Sequence, residues 1–162
     1  MLRAEEVVER LGLVPLEGEG GMYRSTYQCD QTIEGVSIGS AIYYFLHGEA
    51  FSHLHLLTGD EVYFYHGGDP VDLVELFPDG TWQVTRLGNR LEKGEVPQHL
   101  VPAGIWQGSR LAPGGDWALM STSMSPAYTP GCYTHGCREE LLVRWPQARE
   151  WIERLTGEAR AF

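Results

Sequence analysis

The chain of 162 residues is poor in cysteine, poor in positive charge and free of long apolar runs. Cys29, Cys132 and Cys137 are odd in number and form no Cys-x-x-Cys pair, which argues against a disulfide framework and suits a reducing cytosol. Twelve Lys and Arg against 22 Asp and Glu leave a net charge of −10. Such a chain lacks the basic patch that nucleic acid requires, and anionic membrane surfaces repel it. No apolar stretch approaches the ~20 residues of a membrane-spanning helix. The opening MLRAEEVVERLG is charged throughout and has no apolar core of a signal peptide. Repeats and low-complexity segments are absent too. A cytoplasmic protein with a small-molecule partner is the expectation, with no nucleic acid and no membrane.

Hydrophobic residues make up 43% of the chain and charged residues 21%, enough for one well-buried core. The length fits a single domain over 1–162. Ala4–Leu11 has helical spacing, with Val7, Val8 and Leu11 on one stripe and Gly12 as its stop. Gly18-Glu19-Gly20-Gly21 then reads as a flexible loop, without the spacing or following helix of a phosphate loop. From Met22 the pattern becomes one of short strands: Met22–Cys29, Ser40–Leu46, Phe51–Leu57, Glu61–His66, Val71–Phe77, Thr81–Leu87, Gln98–Pro102, Trp106–Leu111 and Trp117–Met124. Turn residues such as Gly67-Gly68-Asp69-Pro70 and Pro78-Asp79-Gly80 separate them, the mark of an all-β sandwich or barrel. Helical spacing returns over about 138–155, where Pro146 divides two short helices.

The stretch Gly48–Gly68 carries the chemistry. His53 and His55 alternate with Leu54, so on a strand the two imidazoles share one face. Thr58-Gly59-Asp60 is turn chemistry, and a hairpin there would bring Glu61 back beside them. Two imidazoles and a carboxylate make a set of ligands suited to a divalent transition metal.

The spacing His-x-His-x5-Glu-x6-Gly resembles the first motif of the cupins, and Val101-Pro-Ala-Gly-Ile-Trp-Gln107 resembles the second, with Gln107 in place of its histidine. The runs GGMYRSTY, SAIYYFL, DEVYFYHGGDP, LFPDG, VPAGIWQGSRL, DWALMSTSMSP and REELL are similar to the DUF985 (Cupin_5) branch, over about Gly20 to Leu155. The resemblance implies an RmlC-like jelly roll, a double-stranded β-helix over about 20–127, flanked by short helices near 3–11 and 138–155. It also implies a homodimer, with the Met22–Cys29 strand or a sheet edge at the contact, and a metal set of His53, His55, Glu61 and Gln107. An amide oxygen at Gln107 binds zinc, nickel, manganese or iron less well than an imidazole would.

If Glu61 points inward, parity turns Tyr63 and Tyr65 inward as well, and Tyr44 and Arg24 complete the expected ligand-binding wall. The tyrosines read equally as barrel core with satisfied hydroxyls, and Arg24 as a surface ion pair. Gly35-Val-Ser37-Ile-Gly39 fits the expression of a nucleophile elbow, but a strand follows where that motif needs a helix. His47, His66 and His99 read as surface or strand histidines, and Cys132, His135 and Cys137 lack the spacing of a zinc site. Trp106 reads as packing.

The leading expectation is a metal-dependent enzyme acting on a small organic or sugar-like substrate inside the barrel, an oxygenase or an epimerase/isomerase, with His55 and Glu61 catalytic. Two alternatives stand beside it: a metal-free epimerase or isomerase, and a cupin that binds a sugar-like or hormone-like ligand without turnover.

Overall fold

The computed structural model describes residues 1–162. Thirteen strands and three short α-helices follow in the order α1 (Ala4–Leu11), β1 (Val14–Pro15), β2 (Met22–Gln28), β3 (Thr32–Ile33), β4 (Val36–Ser37), β5 (Ser40–His47), β6 (Phe51–Leu57), β7 (Asp60–Gly68), β8 (Val71–Leu76), β9 (Trp82–Leu87), β10 (Gln98–Val101), β11 (Trp106–Leu111), β12 (Trp117–Ser125), β13 (Tyr133–His135), α2 (Arg138–Arg144) and α3 (Arg149–Arg154). Two antiparallel sheets face each other. One has the order β1-β2-β5-β12-β7-β10 and the other β13-β6-β11-β8-β9. From β5 onward the chain crosses between sheets at nearly every turn, the winding of a jelly roll, and the all-β double-stranded helix expected from the sequence is the fold observed.

That winding corrects one expectation. Phe51–Leu57 and the strand after it do not form a hairpin: β6 pairs with β11 and β13, whereas β7 pairs with β10 and β12. The Thr58-Gly59 turn is a corner between sheets. Glu61 therefore returns on the opposite wall of the barrel, not beside the imidazoles on a neighbouring strand. Period-2 patterning tells which face a residue takes, but not which strand lies next to it.

Three apolar layers hold the barrel. Between the sheets lie Tyr44, Leu46, Tyr63, Val71, Leu73, Leu87, Val101 and Met120. Beneath α2 and α3, on the outer face of the five-stranded sheet, lie Leu54, Val74, Leu76, Leu141, Trp145, Ile152 and Leu155. This sheet is thus covered on both sides, and every residue of β8 is buried. Trp145 fills the centre of this layer and its indole N–H donates to the Phe77 carbonyl at 2.8 Å, so its one polar atom is satisfied. On the outside of the six-stranded sheet, Val7 of α1 packs with Met22 and Phe45. Gly12 ends α1 in the left-handed region at φ 63°, which frees its N–H to bond back to the last carbonyls of the helix.

Pro146 opens a 3-10 turn over Pro146–Ala148 that leads into α3. Ser37 sits in the β3–β4 hairpin with its hydroxyl donated to the Cys29 carbonyl at 2.7 Å, a structural bond on a strand. No helix is long and apolar enough to cross a membrane.

Candidate functional site

A cavity of about 360 Å³ opens at one end of the barrel. Its walls come from both sheets: Tyr23, Ser25 and Gln28 of β2, Ala41 and Ile42 of β5, His55 and Leu57 of β6, Glu61 of β7, and Thr122 and Met124 of β12. The loop Leu16–Glu19 and the segment bearing Tyr128 and Tyr133 complete the mouth. Along β6, Leu54 turns out to the helical layer, and His55 and Leu57 turn in, as alternation requires. On β2 an irregularity between Ser25 and Tyr27 resets the alternation, so Tyr23, Ser25 and then Gln28 reach the cavity.

Glu19 is the residue that sequence reasoning missed. It lies in the Gly18–Gly21 loop, and its carboxylate Oε1 stands 3.0 Å from His55 Nε2, with the Ser52 hydroxyl donating to the same oxygen at 3.3 Å. The loop is held, not flexible. The Gly20 N–H donates to the Leu16 carbonyl at 2.9 Å, the His53 N–H to the Glu19 carbonyl at 2.8 Å, and the Gly21 N–H to the Arg160 carbonyl at 2.9 Å. Gly20 has φ 98°, and a Cβ there would come within 2.2 Å of the Phe51 carbonyl oxygen. An acidic residue set between glycines was the available signal: the glycines allow the backbone to press against β6 and aim the carboxyl inward.

Backbone carbonyls fix the histidine tautomers, because only an N–H can face them. His53 Nδ1 lies 2.8 Å from the Leu54 carbonyl, and its Nε2 lone pair accepts the Gly157 N–H at 3.3 Å. Both nitrogens of His53 are therefore engaged, and its ring stacks on His135 with centroids 3.7 Å apart. His55 Nδ1–H donates to the His53 carbonyl at 2.7 Å, which leaves Nε2 facing Glu19. One proton lies between those two groups.

Burial decides who holds it. His55 is 1% exposed, and burial drives its pKa down against the raising influence of the Glu61 charge and its bond to His53. Glu19, 18% exposed at its side chain, is pushed up to about 8 by burial, with the Ser52 bond opposing. The pair thus sits as a carboxylic acid donating to a neutral imidazole. Glu61, 7% exposed, is raised as well: burial is the largest cause, with the nearby His55 ring and hydrogen bonds from Thr122 and Tyr63 opposing and Glu19 adding to the rise. A carboxyl group above its ordinary range is a stronger base when ionised, and the cavity places it with an acid of pKa about 8.

The other expected site residues lie elsewhere. Gln107 is buried and its amide oxygen accepts the Tyr63 hydroxyl at 2.7 Å. Tyr44 donates to the Gly20 carbonyl at 2.7 Å and Tyr65 to the Gly68 carbonyl at 2.6 Å. These three tyrosines belong to the core between the sheets, outside the lining of the cavity, with hydroxyls bonded to protein. Arg24 is on the outer side of β2, where its guanidinium donates to the Leu11 carbonyl at 3.0 Å and closes the end of α1. His53 and Gln107 do not line the cavity, so of the four expected metal ligands only His55 and Glu61 meet there. No three His, Cys, Asp or Glu side chains converge in a way that could hold a metal ion. With the His53 lone pair taken by Gly157 and the Gln107 oxygen by Tyr63, these residues do not fit a four-ligand metal centre.

Residues 5–135 match the Cupin_5 family model, described as Cupin superfamily (DUF985). A solved protein from Shewanella oneidensis is similar to the chain at 32% identity and TM-score 0.91, over 97% of this chain and 99% of that one. A hypothetical protein from Leishmania major is similar at 28% identity and TM-score 0.90, over 97% and 100%. Oxalate decarboxylase of Bacillus subtilis shares the fold at 13% identity and TM-score 0.57, with 91% of this chain laid on 38% of that one. No curated protein matches the chain.

Proposed function

Since the chain belongs to the Cupin_5 (DUF985) family of the cupin superfamily, we propose that it is a small-molecule enzyme moving a proton on a substrate held in its barrel, an isomerase or epimerase in type. One observation carries this reading: Glu61 and the Glu19–His55 pair, all with perturbed proton affinity, line the same 360 Å³ cavity. Buried titratable groups gathered in a cleft are costly unless they are used.

The roles follow from the protonation states. Glu61, as carboxylate, takes a proton from a carbon acid. The Glu19–His55 pair gives its shared proton from the other side of the site. One proton leaves the substrate and one arrives, so no oxidant is needed, and solvent at the open mouth resets both groups. His55 keeps its orientation through the Nδ1–H bond to the His53 carbonyl, and Glu19 through its loop. Tyr133 stacks on the His55 ring at 5.1 Å and shields it from bulk water.

Solved Bacillus subtilis oxalate decarboxylase has Mn(II) centres. At 14% identity or less these neighbours share the fold alone, and His53 here would have to release Gly157 to serve as a ligand. Binding without turnover is the alternative for the same cavity.

The test is a panel of small hydroxylated, carbonyl and amino compounds incubated with the protein in deuterated water and read by proton NMR. The wild type is expected to wash deuterium into one carbon position of its substrate. Glu61→Gln and His55→Asn should each slow this ~10²–10⁴-fold, the usual contribution of a positioned acid or base. A compound that binds but never exchanges, or exchange unchanged in both folded variants, contradicts the proposal.

A further inference from the structure

The cavity is charged in one sense only. Glu17 from the loop and Glu61 from β7 bring carboxylates to it, Glu19 adds a carboxyl that keeps its proton toward His55, and no lysine or arginine lines it. The one arginine of β2 that the sequence offered, Arg24, is turned away and spent on the end of α1. Aromatic rings close the remaining sides: Tyr23, Tyr128 and Tyr133 all face the same space. The protein as a whole carries −10, so its long-range field favours the approach of cations over anions.

An anionic substrate would meet this site badly. A carboxylate or phosphate would be desolvated next to Glu61 with no cation to pair with. A neutral polyol would find hydroxyls on Ser25 and Thr122 but would leave the Glu61 charge without a counter-charge. A positively charged nitrogen meets both features together, since carboxylates pair with it and the faces of tyrosine rings attract it. We propose that the substrate of this cavity is a small organic cation, a molecule that carries a protonated or quaternary amine. The inference rests on the cavity being the reaction site proposed above, and it narrows the class of molecule which that site accepts.

Three probes of nearly equal shape separate the charge from the fit: choline, neohexyl alcohol, in which carbon replaces the quaternary nitrogen, and the tert-butylacetate anion. Each is titrated calorimetrically into the intact protein at low salt. Choline should bind roughly ten-fold tighter than the alcohol, or better, with the anion weakest, and added salt should narrow the preference. Tyr128 is half-exposed, outside the buried core, which makes it the position to vary. Tyr128→Leu should reduce the preference several-fold, whereas Tyr128→Phe, which keeps the ring, should retain it. If the alcohol or the anion binds as tightly as choline, or if choline at tens of millimolar does not bind, the inference is overturned. Such a result leaves the proton-transfer reading standing, because that reading fails on a different observation: a bound compound without deuterium exchange.

Discussion

Replacing Glu19 with glutamine should abolish a fall in stability on the alkaline side of neutrality. The effect comes from the protons held by the Glu19–His55 pair. Unfolded, the carboxyl titrates at its ordinary 4.5 and the imidazole at 6.5, so the pair holds two protons below 4.5, one between those values and none above. Folded, it holds one shared proton up to about 8. Between 4.5 and 6.5 the counts are equal and this pair leaves stability flat. Above 6.5 the folded state holds the extra proton, so stability falls as pH rises through the raised folded pKa. The window of 1.5 units, 8 less 6.5, amounts to about 2 kcal/mol at 1.36 kcal/mol per unit. Below 4.5 the unfolded pair takes a second proton that burial denies to His55, and stability falls again. Glu19→Gln keeps an acceptor beside Ser52 but carries no proton to lose. Its stability should rise with pH to the ordinary imidazole range, as expected for a His55 with lowered pKa, and then stay level. Urea unfolding of both proteins at intervals from about pH 5 to pH 9 supplies the curves. Parallel curves above pH 6.5 would refute the shared proton.

Other substitutions probe the supports of the site. Gly20→Ala forces a Cβ against the Phe51 carbonyl at a positive φ, and should lower stability by more than ~1 kcal/mol in a thermal melt while shifting the His55 titration. Gln107→Leu removes the amide acceptor of the buried Tyr63 hydroxyl and should cost about 1–3 kcal/mol, most of it regained when Tyr63→Phe is added. Trp145→Ala empties the centre of the layer under α2 and α3 and should cost ~3–5 kcal/mol in denaturant unfolding, with deuterium exchange at the cavity retained. Beyond its two-residue pairing with β1, strand β2 has a free edge, and light scattering is expected to show a dimer joined there.

Much of the barrel was legible because its strands are separated by turn residues and its faces alternate. Phe51–Leu57 and Trp106–Leu111 appear with the bounds that the sequence suggests. Strands β1, β3, β4 and β13 were not legible, since two or three residues carry no period. The face of β2 was only half legible, because the irregularity after Ser25 breaks alternation without a glycine or proline to announce it. His55 and Glu61 were found from their spacing, and they do meet, but across the barrel: strand pairing between sheets leaves no local mark in the sequence. His53 shows the limit of parity. It takes the inner side with His55, yet the Leu54 carbonyl and the N–H of Gly157 in the C-terminal segment, 104 residues away, consume its nitrogens. Glu19 was hidden by the ordinary reading of a glycine-rich loop as slack, when contacts with β6 and Arg160 hold it taut.

The claim on which the functional reading depends is a single proton shared by Glu19 and a neutral His55. Nitrogen NMR of labelled protein reads it at the imidazole itself. At neutral pH the His55 signals should report Nδ1 protonated and Nε2 as a hydrogen-bonded acceptor, with one transition near the Glu19 value of about 8 that vanishes in Glu19→Gln. A doubly protonated ring at neutral pH, or a simple titration at the ordinary imidazole value of 6.5 in both proteins, would contradict it.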